Sequence, residues 1–228
     1  MSVSDQMRRM SARIPSNAQV AGWAMSPEEV RAHFTKLGKK VLTLYGYSGM
    51  GYQDNDGMLD IAGQVLERFS PDEVIVNIGA TDAGIGQAYK IARERGFVTT
   101  GIVSTQALNY PGGFSEFVET IFFVQDDLWG GYLAGTRLLS PTSEAMVSVS
   151  DYCVGIGGNE ISRDELLEAK NRRLPVIFFP ADINHALMRR RAESQGLETP
   201  ASFEGVASET FAGQTVNNHA DGKFKAAG

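Results

Sequence analysis

Three short stretches carry residue types that suit binding of a phosphate. They are Gly46, Ser48, Gly49 and Met50 in "GYSGMGYQD", Gly79, Thr81, Gly84 and Gly86 in "GATDAGIG", and Gly157, Gly158, Asn159 and Glu160 in "GGNEIS". Glycine lets a backbone adopt positive φ and come close to a ligand, and a helix that starts directly afterwards offers unpaired N–H groups to an anion. One such stretch equally describes a tight turn into a helix. Three at the same edge of one sheet describe a site for a phosphate-bearing, nucleotide-like small molecule. Asp164 and Glu165 follow the third stretch. Carboxylates in the first turn of a helix are favoured by its dipole without any further role. One that faced a crevice would instead bind ribose hydroxyls or steady an oxocarbenium-like centre, as a carboxylate does in glycosidic cleavage, and both readings stay open.

Further candidates stand after other strands. Ser48 and Ser104 have no identifiable histidine base, so they suit contacts to phosphate or hydroxyl better than nucleophilic attack. The loop "DDLWGGYLAGTR" holds Trp129, placed to stack on a base or to pack, and Arg137, placed to hold a phosphate. His33, His185 and His219 are scattered with no second ligand at metal spacing, so neither a metal nor a resident cofactor is expected. Cys153, the only cysteine, lies in the apolar run "YCVGI" and reads as a small buried hydrophobe. No stretch fits G-x-G-x-x-G followed by a well-placed acid, or G-x-x-x-x-G-K-[ST], which disfavours hydride transfer and P-loop chemistry.

The elements that must position these residues alternate between apolar runs and amphipathic stretches. Strands are expected at 39–46, 72–79, 97–104, 119–125, 151–156 and in "PVIFFP". Helices are expected at 26–38, 56–69, 82–96, up to about 148, at 162–173 and in "ADINHALMRRRAESQG". Continuous apolar strands between helices imply a parallel sheet covered on both faces, an α/β doubly wound fold whose ligands bind beyond the carboxyl ends of the strands. The 228 residues read as a single Rossmann-like domain with a core at about 39–192. The polar segment 197–228 reads as a tail draped on the body or on a partner.

Composition limits the partners. A net charge of -6 opposes a nucleic-acid surface, no apolar run nears the length of a membrane span, and the N-terminus lacks the apolar core of a secretory signal. A cytoplasmic protein is expected, and the common symmetric case makes it a homodimer or larger homo-oligomer.

The order "VLTLYGYSGMGYQD", "VIVNIGATDAGIGQAYKIARERGFVTTGIV" and "SDYCVGIGGNEISRDELLEAKNRRLPVIFF" resembles the SLOG superfamily, which includes the LOG family, over roughly residues 39–192. The resemblance implies a Rossmann-like fold that binds nucleotides or nucleotide-derived ligands across these glycine loops. LOG members hydrolyse the N-glycosidic bond of cytokinin nucleoside monophosphates, and other members bind or sense. The LOG motif P-G-G-x-G-T-x-x-E falls on residues 156–164, where Gly157, Gly158 and the acid Asp164 correspond to it. Its upstream arginine falls on Thr142, and G-G-G-x-x-G is reduced to Gly79 and Gly84. Three readings follow. The chain is a binding module for a phosphorylated small molecule, a LOG-like phosphoribohydrolase or N-glycosidase using Asp164 or Glu165, or a carrier or assembly protein for a phosphorylated cofactor.

Overall fold

The structure, a computed structural model, describes residues 13–110 and 112–211. The chain's first twelve residues, Pro111 and the tail beyond Phe211, with His219, lie outside the described residues. Helix α1 (Pro27–Leu37) shows how local chemistry sets an element. Ser26 Oγ accepts the Glu29 N–H at 3.2 Å, and the Glu29 carboxylate accepts the Ser26 N–H at 2.8 Å. Pro27 sits where no N–H is needed, and Gly38 closes the helix at φ 65°.

Seven strands form one sheet: β1 (Gln19–Met25), β2 (Lys40–Gly46), β3 (Val74–Ile78), β4 (Val98–Ser104), β5 (Thr120–Val124), β6 (Tyr152–Ile156) and β7 (Val176–Phe179). Every pairing is parallel, in the order β1-β5-β4-β3-β2-β6-β7. The period of two along each strand sorts side chains to opposite faces. Leu42, Leu44, Val76, Ile78 and Phe123 pack on one face with Met58, Ala62 and Leu66 of α2 (Asn55–Leu66) and Tyr89 of α3 (Ala88–Glu94). Val41, Tyr45, Ile75, Phe122 and Cys153 pack on the other with Val30 and Phe34 of α1, Met146 of α4 (Pro141–Val149) and Leu166 of α5 (Glu160–Asn171). Each fully buried Leu, Ile or Phe contributes about 1.5–3 kcal/mol, so both faces must be covered for the sheet to be stable. This is a doubly wound α/β fold of Rossmann-like type.

Beginning at β2, the chain winds outward through β3, β4 and β5, then crosses back to lay β6 on the other side of β2. The strand order therefore reverses between β2 and β6. The helices that follow these strands diverge there and leave a crevice outside the carboxyl ends.

Two features differ from the sequence expectation, and the described part of the tail takes a definite place. Strand β1 was not expected, and the strand expected at 39–46 is the second. "QVAGWAM" breaks its apolar run with glycine and two alanines, and its pairing to β5 shifts register around Gly22. Trp23 anchors it by stacking on Phe123 with ring centroids 5.1 Å apart. The helix expected at 82–96 divides into a 3₁₀ turn, Gly84–Gln87, and α3. The described part of the tail folds onto the body. After α6 (His185–Ser194), the chain returns so that Ile183 N–H donates to Phe203 C=O at 3.0 Å. It ends in α7 (Val206–Phe211), whose Phe211 stacks on Phe178 at 5.2 Å.

Candidate functional site

Two tyrosines hold the reversal point closed at its base. Tyr52 Oη accepts the Tyr47 N–H at 3.1 Å and donates to Ile156 C=O at 2.8 Å, joining the ends of β2 and β6 through one hydroxyl. Tyr47 Oη donates to Ala181 C=O at 3.0 Å and accepts the Gly205 N–H at 2.8 Å. The loop after β2 is thus tied to the segment after β7 and to the returning tail.

The loop after β3 packs backbone against backbone on the loop after β2. Ile85 N–H donates to Tyr47 C=O at 2.7 Å, and a Cβ on Gly84, at φ 58°, would run into the carbonyl oxygens of Tyr47 and Ser48. Glycine is required there by that contact. Ala80 holds φ 59°, a left-handed conformation that costs an alanine about 1–2 kcal/mol. It is held there by Tyr89 Oη, which accepts the Ala80 N–H at 3.2 Å, and by Ser115 N–H, which donates to Ala80 C=O at 3.0 Å.

Above these contacts lies a crevice of about 780 Å³ at the carboxyl edge. Gly46, Ser48, Gly49 and Met50 line it from the β2 loop, Gly79 and Thr81 from the β3 loop, Ser104 from the end of β4, and Asn159 and Glu160 from the start of α5. The loops expected to converge on one edge do so. A larger concavity of about 1060 Å³ lies at the opposite, amino end of the sheet, around Lys39, Lys40, Arg68 and Asp151. It has none of these strand-end loops.

The structure separates the remaining candidates. Gly84 and Gly86 do not line the crevice; a Cβ on Gly86 would strike Thr81 C=O, so it too serves loop packing. Gly157 and Gly158 also lie outside it. Gly157 N–H donates to Phe179 C=O at 2.8 Å, Gly158 C=O accepts the Ala207 N–H at 3.1 Å, and a Cβ on Gly157 would meet the Tyr47 ring at 2.6 Å. This pair makes a buried turn under the tyrosine and the returning tail. The residues of this stretch that line the crevice come next, Asn159 and then Glu160, Ile161 and Ser162 at the start of the 12-residue α5, whose first amides have no partner within the helix. The N-cap, Asn159, makes no side-chain hydrogen bond to them. Arg137 is exposed and outside the crevice.

The adjacent acids have different fates because each step along a helix turns about 100°. Asp164 faces away from the crevice: Arg163 donates to its Oδ1 at 2.7 Å, and Tyr132 N–H to its Oδ2 at 2.9 Å, which pins the loop after β5. Glu165 lies on the crevice floor, buried, and accepts from Ser143 Oγ at 2.6 Å, while Ser143 Oγ in turn accepts the Gly131 N–H at 2.7 Å. Burial pushes its pKa up to about 8, with the Ser143 hydrogen bond opposing the rise and the charge of Asp164 adding to it. Near neutral pH the carboxyl is therefore protonated. Oε1 accepts from Ser143, which leaves Oε2 to carry the proton. Burial also pushes the Cys153 thiol up to about 12, far from a nucleophilic thiolate.

Ser104 Oγ is spent on structure, donating to Asp126 C=O at 3.2 Å and accepting the Gln106 N–H at 3.1 Å. Among the lining residues that the sequence reading did not single out as ligand contacts are Tyr110, Thr142, Ser162 and Arg191. Tyr110 and Trp129, about half exposed, meet edge to face at the mouth with centroids 5.3 Å apart. Thr142 is buried in the wall, and its Oγ1 has no hydrogen-bond partner. Among the described residues no cluster of His, Cys, Asp and Glu could hold a metal, and no helix is long and apolar enough to cross a membrane.

No family model matches the chain, and no curated protein matches it. Solved structures that resemble it include the molybdenum cofactor carrier protein of Chlamydomonas reinhardtii, at 18% identity and TM-score 0.45, over 61% of this chain and 76% of that one. The molybdenum cofactor binding protein of the phototrophic bacterium Rippkaea orientalis aligns at 20% identity and TM-score 0.45, over 69% and 85%. DNA processing protein A of Streptococcus pneumoniae aligns at 11% identity and TM-score 0.42, over 75% and 61%. At these identities the likeness is one of fold.

Proposed function

We propose that the chain binds a phosphorylated small molecule with a planar ring, a nucleotide or a nucleotide-like cofactor, in the crevice at the β2/β6 reversal, and that it holds this ligand as a carrier or sensor would. The observation that carries the reading is the convergence of strand-end loops on one crevice that is lined by the first residues of a helix and has an aromatic pair at its mouth. The amides of Glu160, Ile161 and Ser162 suit the phosphate. Tyr110 and Trp129 offer ring faces to a base or pterin, and a stacked ring contributes about 1–3 kcal/mol. Glu165, protonated, donates a hydrogen bond to an acceptor on the ligand.

One observation favours turnover as a second reading. A carboxyl with a pKa of about 8 on the floor of the site suits a general acid that protonates a departing base, as in N-glycosidic hydrolysis. Glu165, on the crevice floor, would then do the work that the LOG motif gives to its acid. Asp164 is committed to Arg163 and the Tyr132 amide.

A thermal-shift panel of nucleoside mono-, di- and triphosphates, ADP-ribose and pterin phosphates tests the proposal, with each dephosphorylated compound as its control. Ligand at about a hundred times its Kd stabilises the fold by about 2.7 kcal/mol, which raises the Tm of a chain of this size by about 5–10 °C. At least one phosphorylated compound is expected to do so, and its dephosphorylated form to do much less. No shift with any phosphorylated member would overturn the reading. Release of free base from a bound nucleotide would favour the hydrolase over the carrier.

A further inference from the structure

Among the described residues that line the crevice, the acids Asp82, Glu160 and Glu165 face a single cationic side chain, Arg191. Among those residues an anion in this crevice therefore meets one full positive charge, and it comes from an element that the glycine loops do not announce. Resting on the ligand reading above, we infer that Arg191 of α6 is the side chain that recognises the ligand's anionic group, taking the place of an arginine from α4, where the wall presents Thr142.

The position of α6 explains how the charge arrives. After β7 the chain crosses the β2 loop: Gln53 N–H donates to Asp182 C=O at 3.0 Å, and Asn184 N–H to Gly51 C=O at 3.2 Å. Asn184 Oδ1 then caps α6 by accepting the Leu187 N–H at 3.0 Å. The helix is thereby laid along the rim of the crevice. Its three consecutive arginines point in different directions because each residue turns the helix by about 100°. Arg189 covers the ring of Phe203 at 5.1 Å, on the side of the returning tail. Arg191, about 200° further round, is on the crevice side. Arg190 is exposed and lines no part of the crevice.

Arg191 is also uncommitted. The ion pairs among the described residues engage Lys40, Lys90, Arg93, Arg95, Arg163, Arg172 and His185, and Arg191 is in none of them. A guanidinium free of an intramolecular carboxylate loses no partner when it turns to a phosphate, which it can hold through two parallel N–H donors.

The test compares full-length wild type, Arg191→Ala, Arg191→Lys and Arg190→Ala by calorimetric titration. The probes are AMP and adenosine, or a pterin phosphate and its dephosphorylated form if the panel shows the pterin to bind better. Arg191→Ala is expected to weaken the phosphorylated probe about tenfold or more, leave the dephosphorylated probe unchanged, and flatten the fall of affinity with added salt. Arg191→Lys is expected to fall between, and Arg190→Ala to match wild type. Unaltered melting temperatures without ligand will show that the variants fold. If Arg191→Ala binds the phosphorylated probe as wild type does, the inference fails and the crevice reading stands. If wild type binds no phosphorylated member of the panel, the reading beneath it fails.

Discussion

Burial on the crevice floor, with one hydroxyl for a partner, makes the protonated form of Glu165 the stable one near neutral pH. Its folded-state pKa of about 8 lies above the ordinary value of 4.5, so between these limits the folded chain keeps a proton that the unfolded chain has released. The resulting stabilisation is complete below the lower value and is lost as pH rises toward the upper one. From this group alone, stability falls by about 1.4 kcal/mol per pH unit across the window. Glu165→Gln keeps the shape of the protonated acid and removes the slope. Denaturant titrations are expected to give nearly equal stabilities at about pH 5 and a variant more stable by a few kcal/mol at about pH 8. Parallel stability curves would show that Glu165 ionises normally. Residue types alone could not have separated Glu165 from Asp164, since both are acids in one turn; the facing of the helix decides. The same limit hid Arg191, whose run of arginines reads as a solvated face, and drew attention to Arg137, which stands in a glycine-rich loop but points to solvent.

Strands and helix caps were legible wherever one local cause dominates. The continuous apolar runs of β2, β3 and β6 and the Ser26 capping box belong to that class. Strand β1 was not, because its small residues become a strand only against β5 and Phe123. The Gly157-Gly158 turn was legible as a turn, but its purpose was not. Its partners, Tyr47 and Ala207, are distant in sequence, and they bury the amides that the sequence offered to a phosphate. The element-scale consequence concerns Tyr52, whose hydroxyl bridges the chain just after β2 to the end of β6, beyond the last ladder pair, Gly46 with Ile156. Tyr52→Phe leaves the Tyr47 N–H and the Ile156 C=O buried without that partner, so a loss of about 1–3 kcal/mol is expected in urea unfolding, with the slope of the transition unchanged. A loss below about 0.5 kcal/mol would mean that the bridge does not hold the reversal point together.

At the scale of the whole molecule, the reversal of strand order between β2 and β6 places the crevice, and the loops only furnish it. The alternation of elements gave that edge away before any contact was known, since ligands of doubly wound sheets sit beyond the carboxyl ends. The opposite concavity, larger and bearing Lys39, Lys40 and Arg68 beside Asp72, Glu73 and Asp151, is the competing location for an anion. Backbone amides and stacking faces favour the carboxyl edge instead. Amide-resolved NMR titration with AMP or a pterin phosphate distinguishes the two directly. The N–H signals of Glu160, Ile161 and Ser162 are expected to shift most, with those of Ser48, Gly49 and Gly79 following, while Gly157 and Gly158 move little. Shifts centred on Lys39, Lys40 and Arg68, with residues 160–162 unmoved, would contradict the account.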